Sequence, residues 1–370
     1  MTKPDTAGSS DLEPGGLASD VKRSLRRLLS RSWFGAASSV GALVLSAVVG
    51  SVLLLIYGYS PVEVYGGILT GAFGSRNAIA ETLLKATPLI FTGLAMAVAS
   101  RAGLFNIGGE GQLVVGALGA AMMGTVDLGL PGVLHGAAAL AVGCLAGAAW
   151  GALAGWIRAQ FGAHEVIVTI MLNYIALLLT SYMVNYPWKA EGMVAQSTRV
   201  LSTAELPRIM NGSQLSYGIL IGILAIAVVS FVIRRTILGF EMRAVGFNAS
   251  AAETGGVRTP LVMIAAMALA GAMAGLGGGV EVLGVHRRFI QGFSPGFGYD
   301  GIAVSVLAND QPWLIPVTAV LFGALRAGGA YLDRTTGLPG DFTLLIQGLV
   351  IFFAASPRIF AALTDRRDRR

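Results

Sequence analysis

Apolar runs of membrane length, recurring along a chain of 370 residues, constrain this fold more than any other feature of the sequence. Ala36 to Tyr57, Val133 to Ile157, Leu215 to Ile233 and Leu261 to Val282 carry almost no charge. Each, as a helix, is long enough to cross a hydrocarbon core of roughly 30 Å. Lipid offers a backbone amide no partner, so runs this long and this uniformly apolar are helices, and an outer-membrane barrel is excluded. With 54% hydrophobic and only 12% charged residues, the composition lies outside that of ordinary soluble domains. The 51 glycines suit a bundle in which small residues let helix backbones approach where lipid supplies no hydrophobic force between them.

Taken in order, residues 1–32 read as a disordered arm without the short apolar core of a signal peptide. The arm carries Lys22, Arg23, Arg26, Arg27 and Arg31 just before the first span, which by the positive-inside bias puts the N-terminus in the cytoplasm. The same residues suit contact with anionic lipid. Residues 58–84 then read as external, with a turn at Gly58 to Pro61 and a short helical pattern at Ile79 to Leu84. Thr87 to Ser100 and Leu113 to Gly124 are short apolar runs around a glycine-rich polar turn, the pattern of broken helices at membrane depth. Further spans are read at Val133 to Ile157, Glu165 to Val184, Leu215 to Ile233, Leu261 to Val282, Gly301 to Ala308 extended back to Phe297, Trp313 to Leu332 and Phe342 to Ala355. These give a transmembrane domain over 33–356, a basic tail over 357–370 and ten crossings, with both termini cytoplasmic. Eight or nine spans plus re-entrant segments is the alternative. Most of the 26 Lys and Arg residues fall on the side assigned to the cytoplasm.

Several chemistries are excluded. None of the four lysines follows a glycine, so there is no phosphate-binding loop of the GxxxxGK type and no ATP hydrolysis by that route. His135, His164 and His286 are far apart and lack carboxylate or Cys neighbours at metal spacing. Cys144 is the single cysteine, so no disulfide framework forms, and no nucleophile elbow is present. No cofactor and no nucleic-acid partner is expected, because the basic residues sit at chain ends and loops rather than on one folded face.

Two features carry positive information. The segment 234–260 holds charges of both signs, Ala-rich helical patterning and Gly255-Gly256 between two apolar spans, which is more structure than a simple connector requires. It reads as a cytoplasmic docking element, with one short helix over Gly239 to Val245 and a second over Ala249 to Thr254 capped by Asn248 or Ser250. The second feature is a set of ionisable residues within or beside the spans, Glu110, Glu165, Asp300, Asp310 and Arg326, each costly in lipid and inclined to face a bundle interior or water. Glu110 opens a helix, where the dipole favours a carboxylate, or lines a gate with Asn106 and Gln112. Glu165 also opens a helix. Asn173, two turns on, offers a mid-depth hydrogen bond to a neighbouring helix or to a solute. Arg326 would be satisfied by Asp300 or Asp310.

Ala102-Gly-Leu-Phe-Asn-Ile-Gly-Gly-Glu-Gly-Gln112, His164-Glu-Val-Ile-Val-Thr-Ile-Met-Leu-Asn-Tyr174, Arg243-Ala-Val-Gly-Phe-Asn-Ala-Ser-Ala-Ala252, Tyr299-Asp-Gly-Ile-Ala-Val-Ser-Val-Leu-Ala308 and Phe322-Gly-Ala-Leu-Arg-Ala-Gly-Gly329 occur in that order. Together they resemble the permease subunits of bacterial ATP-binding-cassette (ABC) importers, in the ribose and branched-chain amino-acid superfamily. Within it they are similar to the nucleoside-type simple-sugar permeases that work with basic-membrane-protein-type lipoproteins. The likeness spans Lys85 to Ser356 and implies an all-α integral membrane protein of the type II importer fold, with about ten transmembrane helices, some broken or short. It further implies the bacterial inner membrane, two cytoplasmic ABC ATPase domains, a second and related permease subunit, an external substrate-binding lipoprotein, and a nucleoside or simple-sugar solute. The coupling helices of such permeases correspond here to Gly239, Glu241, Arg243, Gly246, Phe247, Asn248, Ala252 and Gly255. Phe247 departs from the polar or acidic residue often found there. Candidates for the translocation path or gate are Phe105, Asn106, Glu110, Gln112, Glu165, Asn173, Asp300 and Arg326. An ion- or proton-coupled secondary transporter is the competing class, and an inverted internal repeat with mid-membrane acids would favour it.

Overall fold

A computed structural model describes residues 41–336 and 341–354. The disordered arm expected over 1–32 and the basic tail over 357–370 lie outside the described residues. The elements are helices α1 (Gly41–Ile56), α2 (Pro61–Phe73), α3 (Arg76–Arg101), α4 (Gly109–Thr125), α5 (Gly132–Phe161), α6 (Glu165–Asn185), α7 (Gly218–Arg235), α8 (Ile237–Phe247), α9 (Ala249–Thr254) and α10 (Thr259–Glu281). A π-helical turn (Val282–His286) continues α10, and α11 (Phe297–Leu307), α12 (Ile315–Thr336) and α13 (Asp341–Ala354) complete the chain. Among the described residues six helices are long and apolar enough to cross a membrane: α3, α5, α6, α7, α10 with its π turn, and α12. The pair α1 and α2 qualifies together but bends by 120° at its break. The count of about ten therefore rests on shorter elements: α4 has 17 residues, α11 has 11 and α13 has 14.

The largest departure from the sequence reading concerns α3. The pattern at Ile79 to Leu84 is not a separate external helix, and Thr87 to Ser100 is not a short span; both belong to one helix of 26 residues. Ser75 starts it by accepting the Ala78 amide at 3.1 Å, and Pro88 sits within it. Glu81 and Lys85 interrupt the apolar run in the sequence, but at i, i+4 they pair at 3.5 Å on one face and leave the helix intact.

Gly143, Gly147, Gly151 and Gly155, four residues apart on α5, line one face, and this stripe meets α10 backbone to backbone. A Cβ added to Gly147 would lie 2.7 Å from the Gly275 Cα, and one on Gly151 would lie 3.1 Å from the Gly271 Cα. On another face of α10, Gly277 has the Phe91 ring of α3 against it, and Gly278 lies against the α4 backbone at Leu113 and Ala117. The glycine-rich tail of α10 thus serves close packing with α3, α4 and α5 together.

The bundle has two distinct ends. At one, called here the basic end, Arg101 of α3, Arg234 of α7 and Arg243 of α8 line one small cavity, and the Arg101 guanidinium donates to the Asp310 carbonyl at 2.6 Å. At the other, the loop end, residues 186–217 fold over the connection after α10. Ser197 and Phe289 bond through the Ser197 amide at 2.8 Å, and Glu205 accepts from Arg199 at 2.8 Å and pairs with Arg287 at 3.1 Å. Helix α11 is half-length: at 1.5 Å per residue it spans about 16 Å, roughly half of a bilayer core. It leads to Asp310 at the basic end, so its N-terminus lies in the middle of the bundle.

Candidate functional site

The segment 234–260 forms a two-helix element at the basic end. Helix α8 begins at Ile237, two residues before the sequence reading placed it, because Thr236 accepts the Gly239 amide at 3.2 Å and caps it there. Asn248 ends α8 and caps α9, accepting the Ala251 amide at 3.0 Å, and the Gly255 amide closes α9 onto Ala251 at 3.0 Å. Gly256 follows with φ 88°, a left-handed conformation for which glycine is suited. Gly239, Met242, Val245 and Ala252 face inward. Glu241 is half-buried, and Gly246 rests on the end of α3, where a Cβ would come 3.1 Å from the Gly103 amide nitrogen. Turned away from the bundle are Ile237, Phe240 and Phe247, which are 78%, 61% and 90% exposed. Beside this element, burial pushes the Asp310 carboxyl up from the usual range, while a 2.8 Å hydrogen bond from Ser305 and the nearby Arg101 charge oppose the shift.

Midway along the bundle, four of the residues picked from the sequence form one buried knot. Asn106 and Gln112 bond each other through both amide groups, at 2.9 and 3.2 Å. Asn173 of α6 accepts the Gly111 amide at 2.8 Å and donates to the Ile107 carbonyl at 2.9 Å and to the Tyr299 hydroxyl at 3.3 Å. Glu110 accepts the Gly298 amide at 2.7 Å, which places a carboxylate at the open N-terminus of half-helix α11. The knot ties α4, α6 and α11 at the place where the backbone of 102–108 leaves helical geometry, so its polar groups find partners inside the protein. Phe105 stands at its edge, 39% exposed. Glu165 is elsewhere: it faces Arg158 at 3.4 Å at the basic end, and the cap of α6 is His164, whose ring accepts the Val166 amide.

Asp300 and Arg326 form an ion pair, so of the two partners considered for Arg326 it is Asp300. Arg326 also lies 4.9 Å from the Phe297 ring, and the Gln347 amide bonds Asp300. This pair backs the wall of a cavity of about 990 Å³ that runs from Ser75 and Asp333 at the loop end down to Arg326. Its wall also carries Glu81, Lys85, Glu281 and His286, none of which the sequence reading selected. Glu281 is only 5% exposed and faces His286 at 3.7 Å. The signal was present: Glu281 is an acid at the end of a long uncharged run, the criterion that picked out Glu110. Asn106, Glu110, Gln112 and Asn173 do not line this cavity.

Residues 78–355 match the model of a family described as the permease component of branched-chain amino acid transport systems. This chain belongs to that permease family. The guanosine ABC transporter permease protein NupP of Bacillus subtilis is 37% identical over 320 residues, covering 85% of this chain and 91% of the relative. The nucleoside ABC transporter permease protein NupB of Lactococcus lactis is 33% identical, covering 85% and 89%. The glucose ABC transporter permease protein TsgB13 of Haloferax volcanii is 32% identical, covering 89% of each. The chain is thus a multi-pass permease subunit of an ABC importer, a transport component that works with ATPase and substrate-binding partners.

Proposed function

We propose that this permease carries nucleosides, or related solutes built on a sugar ring, into the cytoplasm of a bacterial cell. The relatives named for guanosine, nucleosides and glucose have a polyhydroxylated ring in common, which supports that class. In this reading the subunit crosses the inner membrane about ten times, with α4, α11 and α13 as short or broken spans and both termini cytoplasmic. It has no ATPase site of its own. It pairs with a second, related permease, two cytoplasmic ATPase domains and an external lipoprotein, and transport follows rocking of packed helices between two discrete states.

The observation that carries the reading is the α8–α9 element at the basic end. Three large apolar side chains, Ile237, Phe240 and Phe247, are exposed on a capped element whose inner face is packed. Exposed apolar groups on so fixed a support are the mark of a partner's groove. Gly239, Glu241, Arg243, Gly246, Asn248, Ala252 and Gly255 build the support, and Phe247 enters the ATPase. Glu110 ties α4 to α11 and acts as a hinge in the pathway, with Asn106, Gln112 and Asn173 around it and Phe105 at its mouth. Asp300 and Arg326 stand on the solute side, and Glu165 steadies the basic end.

Proteoliposomes holding both permeases and the ATPases, with the lipoprotein added outside, should take up labelled guanosine or glucose only when ATP is supplied inside. Uptake that continues with the ATPase inactivated would favour the secondary-transporter class and overturn the proposal. Labelling a cysteine placed at Phe247 should require reagent on the cytoplasmic side.

A further inference from the structure

Three arginines from three helices meet around one space at the basic end, where Arg101, Arg234 and Arg243 line a cavity of about 280 Å³. Arg234 and Arg243 lie close enough to Arg101 to repel it, so an anion placed among them is favoured. The carboxylate that answers them is Asp310, whose charge faces Arg101 and which also accepts from Ser305 at 2.8 Å. Among the described residues neither Arg234 nor Arg243 forms an ion pair. Glu241 shares α8 with Arg243, but two residues are about 200° of helical turn, and Glu241 is not on this wall. Ser230 and Gln311 add uncharged polar groups to the wall. Three positive charges against one negative charge, around a space just below the roughly 300–1,000 Å³ of small-molecule sites, suit a small anionic group.

The place of the cavity decides which anion. Arg234 is exposed in the last turn of the apolar span α7, so it marks the depth at which hydrocarbon gives way to headgroups. Ser230 lies one turn deeper, and on the adjoining face of α7 the apolar side chains of Val228 and Phe231 are exposed. Resting on the reading of this end as the cytoplasmic one, we propose that Arg101, Arg234 and Arg243 bind the phosphate of an anionic phospholipid of the inner leaflet, with its acyl chains along α7 beside Val228 and Phe231. Guanidinium groups hold phosphate through paired charge-assisted hydrogen bonds, and basic pockets between spans on the cytoplasmic side suit such headgroups. The remaining phosphate oxygens can accept from Ser230 and Gln311. An acidic side chain of the ATPase is the competing anion, but it would have to reach past the end of α7 to the level of Ser230.

The test measures binding of dioleoyl phosphatidylglycerol and dioleoyl phosphatidylcholine to the purified full-length permease by native mass spectrometry. Neither ATPase nor binding protein is present, so the result does not depend on what the importer carries. The two lipids share chains and phosphate, but the choline head carries a positive charge that the arginines repel. Phosphatidylglycerol should bind at least about tenfold more tightly, the worth of a hydrogen bond to a charged group. Arg234→Gln together with Arg243→Gln should abolish that preference while phosphatidylcholine binding stays within about twofold, which also shows that the variant is folded. Arg234→Lys with Arg243→Lys should keep most of the preference, and Arg208→Gln, an exposed arginine at the loop end, should keep all of it. A preference that survives in the double glutamine variant, or is lost equally in Arg208→Gln, would overturn the site. Displacement of phosphatidylglycerol by millimolar inorganic phosphate would assign the arginines to a free anion, and displacement by the ATPase would assign them to that partner; either would overturn the lipid. A cysteine at Phe247 labelled only from outside would overturn the cytoplasmic reading and the inner-leaflet assignment, while the lipid preference itself would stand.

Discussion

Gly246→Ala tests whether the contact between α8 and the end of α3 transmits force. The added Cβ would overlap the Arg101 carbonyl oxygen and lie 3.1 Å from both the Arg101 carbonyl carbon and the Gly103 amide nitrogen. All three are backbone atoms, so no rotamer change relieves the crowding. Gly246 lies within helical α8, where alanine is at home, so the substitution perturbs the contact and not the local conformation. Restoring ordinary contact lifts α8 by about 1 Å, and overpacking of this kind costs about 1–3 kcal/mol. The lift is concentrated in the element that carries the exposed Phe247. In reconstituted transporters the variant should insert normally and hydrolyse ATP, yet import at least about fivefold less solute per ATP, the equivalent of about 1 kcal/mol. An unchanged ratio of solute to ATP would refute the idea that this seat carries the coupling.

Three further outcomes follow from buried contacts. Asn173→Leu leaves the Gly111 amide and Ile107 carbonyl without their partner, and thermal unfolding in detergent should reveal a loss of about 1–3 kcal/mol. Arg326→Ala strands Asp300 and should cost about 3–5 kcal/mol, much of it recovered when Asp300→Asn is added; no recovery would mean that the ion pair is not what stabilises this wall. Glu110→Gln keeps an acceptor for the Gly298 amide whereas Glu110→Ala does not, so stability should fall by about 1–3 kcal/mol only in the alanine variant, and equal stability of the two would remove the tie between α4 and α11.

The long spans were legible because length and lack of charge suffice to define a helix in lipid, and α5, α6 and α7 begin or end within a few residues of the sequence reading. The start of α3 was not, since Glu81 and Lys85 look like interruptions until their side chains are seen together on the cavity wall, and Pro88 looks like a helix end although it is buried within the same helix. Pairing was half legible: Arg326 needed an acid, but only packing of α11 against α12 could choose Asp300 over Asp310. For Asn173 the sequence offered a neighbouring helix or a solute as partner, and the structure shows bonds to backbone groups in 107–111, which no side-chain pattern announces. The cavity wall was invisible as a unit, because Lys85, Glu281 and Arg326 come from three helices separated by some two hundred residues of chain.

The glycine stripe between α5 and α10 has a mechanical corollary. Moving α10 along α5 by one turn, about 5.4 Å, would carry Met267 into the space that Gly271 leaves beside Gly147, where a side chain has no room. Sliding α10 in that direction is therefore blocked, so a shape change that opens one end of this subunit to solvent by that route has to be accommodated by the elements around the pair.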